Sequence, residues 1–219
     1  MSARRAHGLG YDREDAAAEL ARADPRLAAL IARVGPCRLE ARPDHTPFDW
    51  LLRSVVHQQL SGRSASAILG RVETLLAGVE GGRPESLLAI PEEALRGAGL
   101  SGAKTASLRD LAARTLDGTV PATARLRRMS DEAVVERLTA VRGVGRWTVE
   151  MLLIFGLGRP DVLPLDDHGV RRGYARALGR RRLPTAGQLA RRGERWRPWR
   201  SVASWYLWRA AELPRGERP

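Results

Sequence analysis

Residues 138–148 read Leu138-Thr139-Ala140-Val141-Arg142-Gly143-Val144-Gly145-Arg146-Trp147-Thr148, and the fold turns on how this stretch is understood. Apolar residues at helical spacing precede it over 131–138 and follow it over 146–157, which makes the segment between them the turn of a helical hairpin. Glycines at 143 and 145 permit a tight turn with positive φ, and they remove side chains that would keep another backbone away. The helix opening at Arg146 presents unpaired amides and the positive end of its dipole at that turn, a place that favours a phosphate. Contact of this kind anchors nucleic acid without reading sequence. A Gly-x-Gly pair also marks ordinary helix–helix turns, so the hairpin alone leaves both readings open.

Outward from the hairpin the helical period persists and β-branched runs stay short, so an all-α fold is predicted. A helix over 48–60 offers Trp50, Leu51, Val55 and Val56 for burial, and Ser61-Gly62 separates it from a second over 64–76. Residues 78–84 form a loop, 91–97 a short helix, and Gly99-Leu100-Ser101-Gly102 a turn into a helix over 104–116. Towards the N-terminus, 15–34 reads as one or two helices broken near Pro25, followed by an irregular connection over 37–47. Beyond the hairpin, Pro164-Leu165-Asp166-Asp167 turns into a helix over 168–178 that Gly179 stops, and helices over 186–196 and 200–211 follow.

Composition sets the partner class. The 219 residues carry a formal charge of +12, an excess that draws a polyanion such as nucleic acid or an anionic membrane surface. Lys104 is the one lysine in the sequence. A single cysteine, Cys37, excludes an intramolecular disulfide and any four-cysteine zinc or iron–sulfur site within one chain. Residues 1–10 lack the apolar stretch of a signal peptide and no run is long enough to span a bilayer, so a cytoplasmic protein, nucleoid-associated in a prokaryote, is expected.

Asp166 and Asp167 stand in the turn before a helix, and either suits the N-cap, where a carboxylate accepts a hydrogen bond from a backbone amide. Met151 lies four residues after Trp147, on one face of the hairpin's second helix, as Trp208 shares a face with Trp205 on the last helix. Trp50, Trp196, Trp199 and Trp205 read as core residues.

Several ordered blocks resemble the helix-hairpin-helix DNA glycosylase superfamily. They are Val55-Val56-His57-Gln58-Gln59-Leu60-Ser61 within 48–71, Gly99-Leu100-Ser101 with Lys104 within 95–112, the hairpin at 138–156, and Leu165-Asp166-Asp167-His168-Gly169. Trp196-Arg197-Pro198-Trp199-Arg200-Ser201 through Trp208 is similar to the C-terminal block of the 3-methyladenine DNA glycosylase II family, and the likeness spans about residues 45–210. It implies two helical lobes flanking a DNA-binding cleft: an N-terminal segment 1–47 packing on the C-terminal lobe, a helical lobe 48–165 and a C-terminal lobe 166–219. The short region before Phe48 marks a compact form.

The same resemblance implies a monofunctional hydrolase of base excision repair, acting as a monomer on double-stranded DNA to remove 3-methyladenine and 7-methylguanine. The second aspartate, Asp167, aligns with the catalytic carboxylate. Breaking an N-glycosidic bond builds positive charge on the deoxyribose, and a fixed anion stabilises it while orienting or deprotonating water. Trp147, Met151 and Trp208 are implied to line the base pocket, where cation–π attraction to an alkylated purine contributes about 0.5–2 kcal/mol. Met151 stands where a relative has tyrosine, which weakens stacking there. Leu60 is implied as the wedge, with Gln58 and Gln59 beside it, although a helix-end leucine is as well suited to the core. Gly143, Gly145, Arg146 and Thr148 are implied to meet the DNA backbone. Lyase relatives carry a lysine at the position of Trp147, which cannot form a Schiff base. No cofactor is required; a sodium or potassium ion on the carbonyls of Thr139, Val141 and Gly143 is implied by the family. The rivals are a glycosylase for another lesion and a noncatalytic binder of damaged DNA, which the charge and hairpin would serve equally well.

Overall fold

The structure is a computed structural model that describes residues 8–42 and 44–213, and among them every regular element is helical. The reading of residues 1–10 falls mostly outside the described residues. The chain divides into two compact units, one of Asp44–Leu152 and one of Met1–Pro43 with Leu153–Pro219. These boundaries differ from those at 47/48 and 165/166 drawn from sequence. No helix among the described residues is long and apolar enough to cross a membrane.

The first unit opens with α1 (Arg13–Ala23) and α2 (Pro25–Val34), two helices rather than one because Asp24 leaves helical geometry between them and caps the second. It resumes with α11 (His168–Ala177), α12 (Ala186–Gly193), a 3₁₀ turn at Glu194–Trp196 and α13 (Arg200–Glu212). The closest packing joins α11 to α13: a Cβ on Gly173 would lie 1.8 Å from the Leu207 carbonyl oxygen, so only glycine lets the two backbones approach. Asp24, fully buried, accepts hydrogen bonds from the Arg192 guanidinium and, at 2.9 Å, from Trp196 Nε1. A buried carboxylate is costly unless paired in this way.

The second unit comprises α3 (Pro47–His57), α4 (Gly62–Ala77), α5 (Arg83–Ala89), α6 (Glu92–Gly97), α7 (Gly102–Leu116), α8 (Thr123–Leu126), α9 (Asp131–Leu138) and α10 (Arg146–Met151). Short polar residues start half of them. Thr46 and Asp49 form a capping box for α3, while Ser61, Ser101 and Ser130 accept from the amides of Ser64, Lys104 and Ala133. Phe48, Leu51, Leu52, Val55 and Val56 line the inner side of α3 and are almost fully buried, each contributing about 1.5–3 kcal/mol.

Two expectations about helix ends are corrected. α3 stops at His57 instead of reaching 60, because Gln58 turns to an extended ψ of 132° and Gln59 adopts φ 57°. The second hairpin helix is α-helical only to Met151; Leu152–Gly156 continue as a π-helical turn. Leu152, Leu153 and Ile154 are buried in succession along that turn.

Candidate active site and nucleic-acid interface

Asp167, not Asp166, is the N-cap of α11; its Oδ1 accepts from the Val170 amide at 2.7 Å, and Asp166 is exposed. The aspartate that the resemblance singles out is therefore also the one that caps the helix. The Trp208 indole donates its Nε1–H to the same Oδ1 at 2.9 Å, from the facing side of α13. Gly169 makes the approach possible, since a Cβ there would sit 2.8 Å from Trp208 Cδ1 and 3.1 Å from Asp167 Oδ1. Phe155, on the π-helical turn, stacks on the Trp208 ring at 5.6 Å between centroids with 28° between planes. The end of that turn is held by the Arg42 amide, which donates to the Phe155 carbonyl at 2.7 Å. Asp167 and Trp208 are thus brought together within one unit. Phe155 was missed from sequence because only the π-helical widening shows which way it faces.

Trp147, Met151, Leu60, Gln58, Gln59 and the hairpin residues Gly143, Gly145, Arg146 and Thr148 lie in the other unit. Trp147 is 49% exposed and Leu60 is 40% exposed, two of the four large apolar side chains left on the surface among the described residues. For Leu60 this overturns the reading as a core leucine. Trp196 and Trp205 are buried as expected, whereas Trp50 and Trp199 are half-buried. Met151 is half-buried.

The hairpin turn needs glycine once. Gly143 has φ 75°, and a Cβ there would also come 2.7 Å from Ser107 Oγ. Gly145 corrects the expectation of positive φ at both: it has φ −95° as the N-cap of α10, and a Cβ on it would meet nothing within 4 Å. Among the described residues nothing crowds a side chain at 145. Thr148 is 5% exposed, so its side chain is not presented at the surface as the resemblance implied. Arg146 is paired with Glu132 and lies 3.8 Å from Glu150.

The loop before α4 is tied to the hairpin. Gln58 Nε2 donates to the Gly143 carbonyl at 2.9 Å, whereas Gln59 is exposed. Lys104 Nζ donates to the carbonyls of Val56 and Gln58, each at 2.7 Å, and its pKa is lowered by desolvation. His57 is exposed and pushed down from its usual pKa by desolvation and by the charges of Arg53 and Lys104, which disfavours a cationic imidazole. His168 is exposed. Among the described residues no group of three or more His, Cys, Asp or Glu is placed to hold a metal ion.

Residues 52–198 match the HhH-GPD superfamily of base excision DNA repair proteins. The chain is 36% identical to DNA-3-methyladenine glycosylase 1 of Schizosaccharomyces pombe over 194 residues, covering 89% of this chain and 84% of that protein. Among solved structures, it is similar to the S. pombe 3-methyladenine DNA glycosylase Mag1 in complex with abasic DNA, with TM-score 0.78, 35% identity and coverage of 91% and 97% of the two chains. It is also similar to a DNA-3-methyladenine glycosidase from Bacillus halodurans, with TM-score 0.81, 37% identity and coverage of 92% and 90%. With the hairpin, the capped aspartate and this likeness over nearly the whole chain, the protein belongs to the HhH-GPD superfamily of base excision DNA repair proteins.

Proposed function

We propose that the protein is a monofunctional DNA-3-methyladenine glycosylase of type II that hydrolyses the N-glycosidic bond of 3-methyladenine and 7-methylguanine in duplex DNA. The observation that carries this reading is the Asp167 carboxylate, fixed through one oxygen by the Val170 amide and the Trp208 indole. The C1′–N bond breaks with its electron pair leaving on the alkylated base, which departs neutral because it was cationic. The sugar becomes an oxocarbenium ion, stabilised by the anionic carboxylate. Water then bonds to C1′, and its proton passes to Asp167 or to solvent.

Trp147 offers an exposed aromatic face to a cationic base, and Leu60 an exposed apolar side chain to fill a vacated place in the stack. Open space around Gly145 supports a phosphate at the hairpin. The sole lysine is engaged through its ammonium by two carbonyls, which supports attack by water rather than by an amine. The carbonyls of Thr139, Val141 and Gly143 are neutral hard donors suited to sodium or potassium. Val141 O accepts from the Val144 amide and Gly143 O from Gln58, and each oxygen has a second lone pair for a cation. We further propose that the enzyme acts as a monomer.

The test is chemical identification of what wild-type protein releases from methylated duplex DNA. Free methylated purines, with an intact strand carrying an abasic site, are expected. No release, with DNA binding retained, would replace this reading by that of a damage-binding protein; strand cleavage would contradict the monofunctional assignment.

A further inference from the structure

Three residues of α7 meet the two segments singled out for DNA. Lys104, Ser107 and Asp110 follow one another at intervals of three, and therefore share a face of the helix. Lys104 takes the Val56 and Gln58 carbonyls at the end of α3, where last-turn carbonyls lack helical partners and a cation is favoured. Asp110 Oδ2 accepts from the Arg142 amide in the hairpin turn at 2.7 Å, while the Arg114 guanidinium, one turn on, holds the same oxygen at 2.9 Å. Ser107 packs where a side chain on Gly143 would clash. Gln58 closes the ring by donating to Gly143.

Between these ties the backbone leaves its ordinary range: Gln59 has φ 57°, a conformation a side chain adopts only where the surroundings hold it. Leu60 follows directly, exposed. We propose that Lys104 is a positioning residue for base extrusion, clamping the end of α3 so that the loop is held in the conformation that presents Leu60. The proposal rests on the reading of Leu60 as the wedge. It assigns the single lysine of a chain otherwise supplied with arginine a task that a compact cation with several donors performs, gathering two carbonyls at once.

Excision of 7-methylguanine from duplex DNA under single-turnover conditions tests it with Lys104→Met, Leu60→Ala, the double variant and Lys104→Arg. Each of the first two is expected to lower the rate about tenfold or more. The double variant should fall no further than the worse single one, because both changes remove the same event. Lys104→Arg should recover only part of the lost rate, because a planar guanidinium does not converge on both carbonyls as a compact ammonium does. Multiplying losses, or a Lys104→Met rate equal to wild type beside a slow Leu60→Ala, would overturn the role of Lys104. An unchanged Leu60→Ala rate would instead overturn the wedge and the proposal with it.

Selective 15N-lysine labelling of the unaltered protein reports this one ammonium and keeps the test independent of the variants' folding. A slowly exchanging ammonium signal that shifts when duplex containing an abasic-site analogue is added is expected. A freely exchanging signal that DNA leaves unmoved would overturn the proposal.

Discussion

In the proposed mechanism Asp167 serves both a helix start and a glycosidic hydrolysis, because a carboxylate that accepts from a backbone amide is held in place. Trp208 adds a second donor on the same oxygen, leaving the ring stacked on Phe155. Trp208→Phe keeps an aromatic ring there and deletes the N–H. A hydrogen bond to a charged group contributes about 1.5–3 kcal/mol, so kcat is expected to fall by roughly tenfold or more. Binding to an abasic-site analogue should change little while the melting temperature falls by a few degrees, and a parallel loss of binding would assign Trp208 to DNA contact instead. The two aspartates were equivalent as caps by local sequence, and only the resemblance separated them. The indole–carboxylate bond joins residues 41 apart and left no local trace.

At the scale of elements, the hairpin offers a pair of substitutions with opposite signatures. Gly143→Ala must place a side chain at φ 75° and 2.7 Å from Ser107 Oγ. A stability loss on the order of 1–3 kcal/mol is expected from the urea midpoint. Gly145→Ala meets nothing within 4 Å and has negative φ, so it should cost no more than about 1 kcal/mol, the difference between glycine and alanine at an N-cap. Its affinity for abasic DNA, measured by fluorescence anisotropy, should nevertheless drop if a phosphate approaches there; unchanged affinity would remove Gly145 from the interface. Most helix starts were legible because Ser, Thr and Asp occupy them, as at Ser61, Ser101, Ser130 and Asp167. The π-helical turn was not, since Leu152-Leu153-Ile154-Phe155 reads as helix whichever hydrogen-bond register it takes. Of the residues along α7 only Lys104 stood out in the sequence; Ser107 and Asp110 did not, because their partners in the hairpin come from distant sequence.

For the whole molecule, stability and function draw on different residues. In the unit formed by the described residues before Asp44 and after Leu152, Asp24 ties α2 to Arg192 and Trp196. Burial would raise its carboxyl, but hydrogen bonds from Arg192, Trp196 and the Arg26 amide outweigh that and hold it below the usual carboxylate range. Its stabilisation is therefore present above the unfolded value of about 3.9 and is lost as pH falls through the lower folded value. Asp24→Ala should cost about 3–5 kcal/mol at neutral pH, read from urea unfolding, because it strands the buried Trp196 N–H and the half-buried Arg192 guanidinium and removes the cap of α2. A loss below about 1 kcal/mol would show that the pair is dispensable. The net charge of +12 supplies general attraction to DNA, but it distinguishes no chemistry. That distinction belongs to the carboxylate. The most direct measurement is single-turnover release of 7-methylguanine by Asp167→Asn beside its binding to an abasic-site analogue. The account predicts release reduced by about a hundredfold or more with binding retained; release at the wild-type rate would contradict it.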